Sequence, residues 1–121
     1  MYPALVKLIS AHAQLLTEIF IADGLQPNGS MLPESDIFKR DIAWINEADA
    51  IIAEVTNPSL GVGYEIAYAE NLNKPILTLH HIKPPNKLSA MIAGNPKIIT
   101  TSYRNEEEAA QIITGFLQTL L

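Results

Sequence analysis

The segment AIIAEV, residues 50–55, constrains the fold more than any other stretch of the chain. It is almost continuously apolar, too short for a buried helix, and flanked on both sides by helix-periodic stretches. Apolar residues at odd and even positions alike suit a strand covered on both faces, as in a parallel sheet. Its neighbours alternate in the same way. Residues 35–48 carry Ile37, Asp41, Trp44, Ile45 and Ala48 on one helical face, with Ser35 as the expected N-cap and Trp44 expected in the core. A second helix is predicted from about Gly61 to Leu72, a strand over residues 75–80, a short helix over 88–93 closed by Gly94 and Asn95, a strand over 97–101 and a last helix over 106–120. Upstream, residues 2–12 are helical in pattern, 14–21 read as a strand, and 23–33 form a loop rich in Gly, Pro, Asn and Ser. Such alternation implies βαβ units and one doubly wound, Rossmann-like (flavodoxin-like) α/β domain over residues 1–121.

Composition removes several function classes. The net charge of −5, with the eight basic residues scattered, disfavours a nucleic-acid polymer as partner. No apolar run reaches the ~18 residues of a membrane span, and no export signal opens the chain, so a cytoplasmic location without membrane partner is expected. The absence of cysteine excludes disulfides, thiolate metal sites and cysteine nucleophiles. His80 and His81 lack metal-pair spacing and a third ligand; no metal and no cofactor are expected.

Ligands of open α/β sheets bind beyond the carboxyl ends of the strands, which directs attention to residues 54–65. Ser59 offers a hydroxyl, Gly61 and Gly63 let backbone approach a ligand, and Glu65 falls in the first turns of the following helix. The plainer alternative is ordinary strand-to-helix turn chemistry. The segment is neither a GxxxxGK[ST] loop nor GxGxxG. Asp41 is a second carboxylate, on a helix that runs antiparallel to the buried strand and on an apolar face, where a charge needs a reason; a favourable helix-dipole position is the plainer one. Two carboxylates from separate elements meeting in one cleft is the arrangement of glycosidic bond cleavage. Glu54, inside the strand, is read as a structural hydrogen-bonding group.

The run DIAWINEADAIIAEVTNPSLGVGYE (residues 41–65), followed by NKPIL (73–77), LSAMI (88–92) and the earlier LTE (16–18), resembles the nucleoside 2-deoxyribosyltransferases, and most closely their hydrolytic branch, the 2'-deoxynucleoside 5'-monophosphate N-glycosidases. The likeness covers roughly residues 2 to 100. It implies Glu65 as the nucleophile on C1' of the deoxyribose, with Asp41 positioning the nucleoside and assisting protonation of the leaving base. Ser59 would hold the 5'-phosphate, Gly61, Gly63 and Met91 would border the substrate, and Ser89 would reach the site of a neighbouring subunit in a homodimer. The dimer contact would use the helices of residues 41–48 and 63–72. The substrate would be a small deoxynucleoside or deoxynucleotide, the reaction hydrolysis or deoxyribosyl transfer between bases.

The family's opening strand and its Gly-Ser-Ile-Arg-Gly-Gly-type loop are expected to be missing from this sequence, in which Met1-Tyr2 aligns with the first helix: either the start codon is assigned too late or the chain is a truncated relative. The sheet is therefore expected to lack its usual first strand. Residues 14–21 should then pair directly with 50–55, or be covered by a second subunit. A catalytically silent nucleotide-binding or dimerisation module is the rival reading.

Overall fold

The computed structural model describes residues 19–22, 32–83 and 87–120. The expected first helix and the body of the following loop fall outside them. Four strands, β1 (Ile19–Ala22), β2 (Ala50–Glu54), β3 (Ile76–His81) and β4 (Ile99–Tyr103), form one sheet in the order β1-β2-β3-β4, every pair parallel. Between and after them come α1 (Glu34–Glu47), α2 (Leu60–Asn71), the single turn α3 (Ala90–Ala93) and α4 (Glu106–Gln118).

Alternation along β2 explains the layering. Ile51 and Ala53 join Ile45, Ala48, Val62, Ile66 and Ala69 of the α1–α2 side in one core. Ala50 and Ile52 face the other way, with Leu77, Leu79 and the Ala109, Ile113, Phe116 and Leu117 face of α4. Helices thus cover both faces, and the strand read as doubly buried is so. The direct pairing of β1 with β2 runs from Ile19 opposite Ala50 to Ala22 opposite Ala53, the first of the two arrangements expected for these strands. Residues 14–18 of that predicted strand lie outside the described residues.

Three local expectations are corrected. Helix α1 is capped by Pro33, whose carbonyl accepts from the Asp36 and Ile37 amides, so Ser35 lies within the first turn. Proline's fixed φ suits a helix start, and Glu34 and Asp36 complement the amino-terminal dipole. Trp44 is not core: it is 50% exposed, with the Arg40 guanidinium 4.8 Å above its ring. Strand β4 begins two residues later than expected, because Asn95 turns the chain first, accepting the Lys97 amide on its side chain and the Ile98 amide on its carbonyl.

The α2–β3 connection is built around Asn73, in the left-handed region at φ 60°, which Asn tolerates better than most residues. It delivers Lys74, whose ammonium donates to the Asn46 and Ala48 carbonyls at 2.9 and 2.6 Å. A cation on the orphan carbonyls at the end of α1 is favourable on dipole grounds and ties α1 to the sheet. Among the described residues no helix is long and apolar enough to cross a membrane.

Candidate functional site

Ser59 starts α2. Its backbone is extended and its Oγ accepts from the Val62 amide at 3.2 Å, a standard N-cap that closes the β2–α2 loop. Glu65 follows in the second turn, half-buried. Asp41 sits midway along α1, its side chain 22% exposed, its Oδ1 accepting from Arg40 Nε at 3.1 Å. Two contacts fix the two helices side by side: the Phe38 and Tyr64 rings meet edge to face with centroids 6.1 Å apart, and the Asn46 amide donates to the Tyr68 hydroxyl at 2.9 Å.

Between them lies a cavity of about 480 Å³. Asp41 and Glu65 both line it, with Ser59 and Gly61 at one side and Ile37, Phe38 and Tyr64 around the rest. Three carboxylates (Asp41, Glu65 and Glu34 from the start of α1), the Ser59 and Tyr64 hydroxyls and the Phe38 and Tyr64 rings line it. Such a lining combines acid–base groups with flat apolar surfaces, as a nucleoside-sized ligand requires.

A second cavity, of about 580 Å³, lies on the other side of the first turn of α2. Ser59 and Val62 line both spaces. Gly63, Ser89 and Met91 line only the second, along with Thr56, Asn57 and Lys87. Ser89 caps the short α3, its Oγ accepting from the Met91 amide, and Met91 is 82% exposed. The seven residues singled out from sequence therefore divide. Asp41, Glu65, Ser59 and Gly61 share one cavity; Ser89, Met91 and Gly63 face another, joined to the first by Ser59 alone among the seven.

Neither glycine is required by the chain's own packing. A methyl at Gly63 would meet nothing within 4 Å, and one at Gly61 would reach only the Ser59 Oγ at 3.9 Å. Glycine inside a helix costs roughly 1 kcal/mol relative to alanine, so the space beside α2 is kept open without benefit to the fold. The expected structural role of Glu54 is observed: both its oxygens accept hydrogen bonds from Thr56, and Oε2 also from Tyr103. His80 and His81 end β3, the Nε2 of His80 buried without a hydrogen-bond partner, and no group of three candidate metal-binding side chains occurs among the described residues.

Sequence reasoning missed Phe38, Tyr64 and Arg40. Phe38 stands one turn before Asp41 and Tyr64 one turn after Gly61, so helical spacing could have found both. The Arg40 contact depends on rotamers and left no signal in the pattern.

The profile of the family described as nucleoside 2-deoxyribosyltransferase matches residues 2–109. A protein of Syntrophotalea carbinolica, provisionally named 2'-deoxynucleoside 5'-phosphate N-hydrolase 1, is 40% identical over 116 residues, covering 96% of this chain and 82% of its own length. The 5-hydroxymethyl-dUMP N-hydrolase of Mus musculus is 43% identical over 96 residues; these are 78% of this chain and 56% of the mouse protein. The solved structure of a CMP N-glycosidase from Clostridium botulinum superposes with a TM-score of 0.57 at 26% identity, over 66% of this chain and 73% of that one.

Proposed function

The chain belongs to the nucleoside 2-deoxyribosyltransferase family, a family of enzymes, and from that premise we propose that it hydrolyses the N-glycosidic bond of 2'-deoxynucleoside 5'-monophosphates with Glu65 as nucleophile. The observation that carries this reading is the common cavity of Asp41 and Glu65, two carboxylates brought from separate helices to the same space.

In the first step a Glu65 oxygen bonds to C1' of the deoxyribose as the C1'–N bond breaks. The electron pair of that bond leaves with the base, which takes up a proton at the Asp41 side of the cavity. Water then attacks C1', giving up a proton at the Asp41 side that replaces the one taken by the base, and 2-deoxyribose 5-phosphate leaves with the Glu65 carboxylate restored, so configuration is retained overall. No electron-withdrawing 2'-hydroxyl opposes the oxocarbenium-like charge, and two carboxylates suffice without a metal. The Phe38 and Tyr64 rings offer flat surfaces to a base.

Ser59 is the phosphate ligand of this reading. Its oxygen accepts from Val62, which leaves the hydroxyl proton for a phosphate oxygen, and the amino end of the 12-residue α2 favours an anion. Water rather than a second base is taken as the acceptor because the relatives cited above carry hydrolase names. A homodimer completes the site. Its support is the separation of Ser89 from the Asp41–Glu65 cavity of its own chain, together with half-exposed Phe38, Trp44 and Tyr64 on α1 and α2. A shared site requires that the purified chain sediment as a dimer at micromolar concentration.

Incubation with the common 2'-deoxynucleoside 5'-monophosphates and their ribonucleotide counterparts tests the reading. Free base and 2-deoxyribose 5-phosphate are expected from the deoxy series, with a rapidly quenched sample carrying the sugar phosphate on the peptide that contains Glu65. A folded chain that releases no base from any deoxynucleotide overturns it.

A further inference from the structure

A second polar cluster occupies the carboxyl end of the sheet and takes no part in the chemistry above. Glu54 is the last residue of β2 and lines neither cavity. Its Oε1 accepts the Thr56 backbone N–H at 2.8 Å, and its Oε2 accepts the Thr56 hydroxyl at 2.8 Å and the Tyr103 phenol at 2.5 Å. The Thr56 Oγ1 in turn accepts the His81 backbone N–H at 3.0 Å. Tyr103 is 2% exposed, with its ring edge-on to His81 at 5.2 Å. Burial, reinforced by the hydrogen bond to Glu54 and its charge, holds the phenol well above the usual tyrosine range, so it stays a donor.

Residues from β2, β3 and β4 are thus joined through Glu54 and Thr56. A half-buried carboxylate normally tolerates this position only when its oxygens are satisfied, and here three donors meet it. Thr56 opens the loop that ends at Ser59, which caps α2 and leads into the turns bearing Glu65. Thr56 and Asn57 also line the second cavity.

We propose that Glu54, held by Tyr103, is a positioning residue: by fixing Thr56 it sets the loop that carries Ser59 and aims the first turns of α2. The inference rests on the use of Ser59 and Glu65 proposed above. Glu54 touches no substrate in this arrangement and acts only through Thr56.

Tyr103→Phe removes one hydroxyl and keeps the ring, so the core is preserved. Hydrogen exchange at the amides of Thr56, bonded to Glu54, and Val62, bonded to Ser59, is compared with exchange at the buried amides of β2 and β3. Thr56 and Val62 should speed up about tenfold more than the strand amides, the scale of one lost hydrogen bond to a charged acceptor. Glu54→Ala should exceed this, and Glu54→Gln, which keeps one acceptor oxygen, should recover part of it. In the active enzyme Tyr103→Phe should raise KM for a deoxynucleoside monophosphate about tenfold, with kcat changed less than about threefold. A uniform rise at all amides, or no rise at Thr56 and Val62, would make the cluster purely structural and overturn the proposal. So would kcat and KM both within about twofold of the wild-type values in the active enzyme. If the wild-type chain releases no base, the functional reading fails and the exchange comparison alone decides the positioning role.

Discussion

The two faces of the sheet are built to different standards. On the α4 side, Ala109, Ile113, Phe116 and Leu117 close over Leu77, Leu79 and Tyr103, and the helix is capped by Asn105, which accepts the Glu108 amide at 2.9 Å. Among the described residues the same sheet is covered less completely on the α1–α2 side. There Phe38, Trp44, Leu60 and Tyr64 are half or more exposed, two glycines interrupt the first turns of α2, and two cavities flank them. The α4 face is the more fully packed of the two, although α4 also carries one glycine, Gly115, beside open space. The α1–α2 face gives up burial and helix propensity around two carboxylates, the pattern expected where a ligand or a partner supplies the missing contacts.

The largest effect that would sharpen this contrast lies at Glu65. Glu65→Ala should slow base release by about a thousandfold or more, the usual consequence of removing a nucleophile, while thermal melting moves little. Retention of a tenth of the wild-type rate would take Glu65 out of that role and leave the open face without its main functional claim.

Ile113→Ala should do the reverse. The side chain is fully buried, so its truncation should cost about 2–5 kcal/mol in denaturant unfolding, with KM and kcat of the surviving folded enzyme near wild type. A cost below about 1 kcal/mol would show the α4 face to be as loosely packed as the other.

Alkaline stability separates the faces next. Because the folded chain holds the Tyr103 proton well above the usual range, it keeps a proton that the unfolded chain gives up near pH 10. Its contribution is therefore complete below about pH 10 and falls as pH rises through and beyond that value. Melting followed from pH 8 to 11 should show this decline, and Tyr103→Phe should flatten it. Parallel curves for the two proteins would remove Tyr103 as the source.

The smallest effect needs a paired substitution. Gly63→Ala and Gly115→Ala each place a methyl in open space inside a helix, so each should add up to about 1 kcal/mol of stability. Only Gly63→Ala, beside the second cavity, should lower activity or weaken dimerisation in sedimentation. Equal functional silence of both would mean that the opening beside α2 serves no ligand or partner.

What the sequence determined by itself is the local grammar. The apolar run of β2, the helix spacing of Asp41 and the alternation of strands and helices were legible because periodicity acts over a few residues; the caps were not, since Ser35 was expected to cap α1 while Pro33, Ser59 and Ser89 cap the helices. The long string from Asp41 to Glu65 identified the family for the same reason, since it is contiguous. Tertiary structure alone decided the rest. The pairing of Glu54 with Tyr103 spans 49 residues, and that of Lys74 with the Ala48 carbonyl spans 26. Trp44 shares its helical face with buried Ile45, yet it stands half exposed under Arg40 at the margin of the core. The division of the seven site residues between two cavities was equally unreadable, because it depends on which side of α2 each loop returns to. Sequence periodicity states which faces must be buried. Which distant groups meet there is set by strand order and register, and these minimise unpaired backbone and exposed apolar surface over the whole sheet at once.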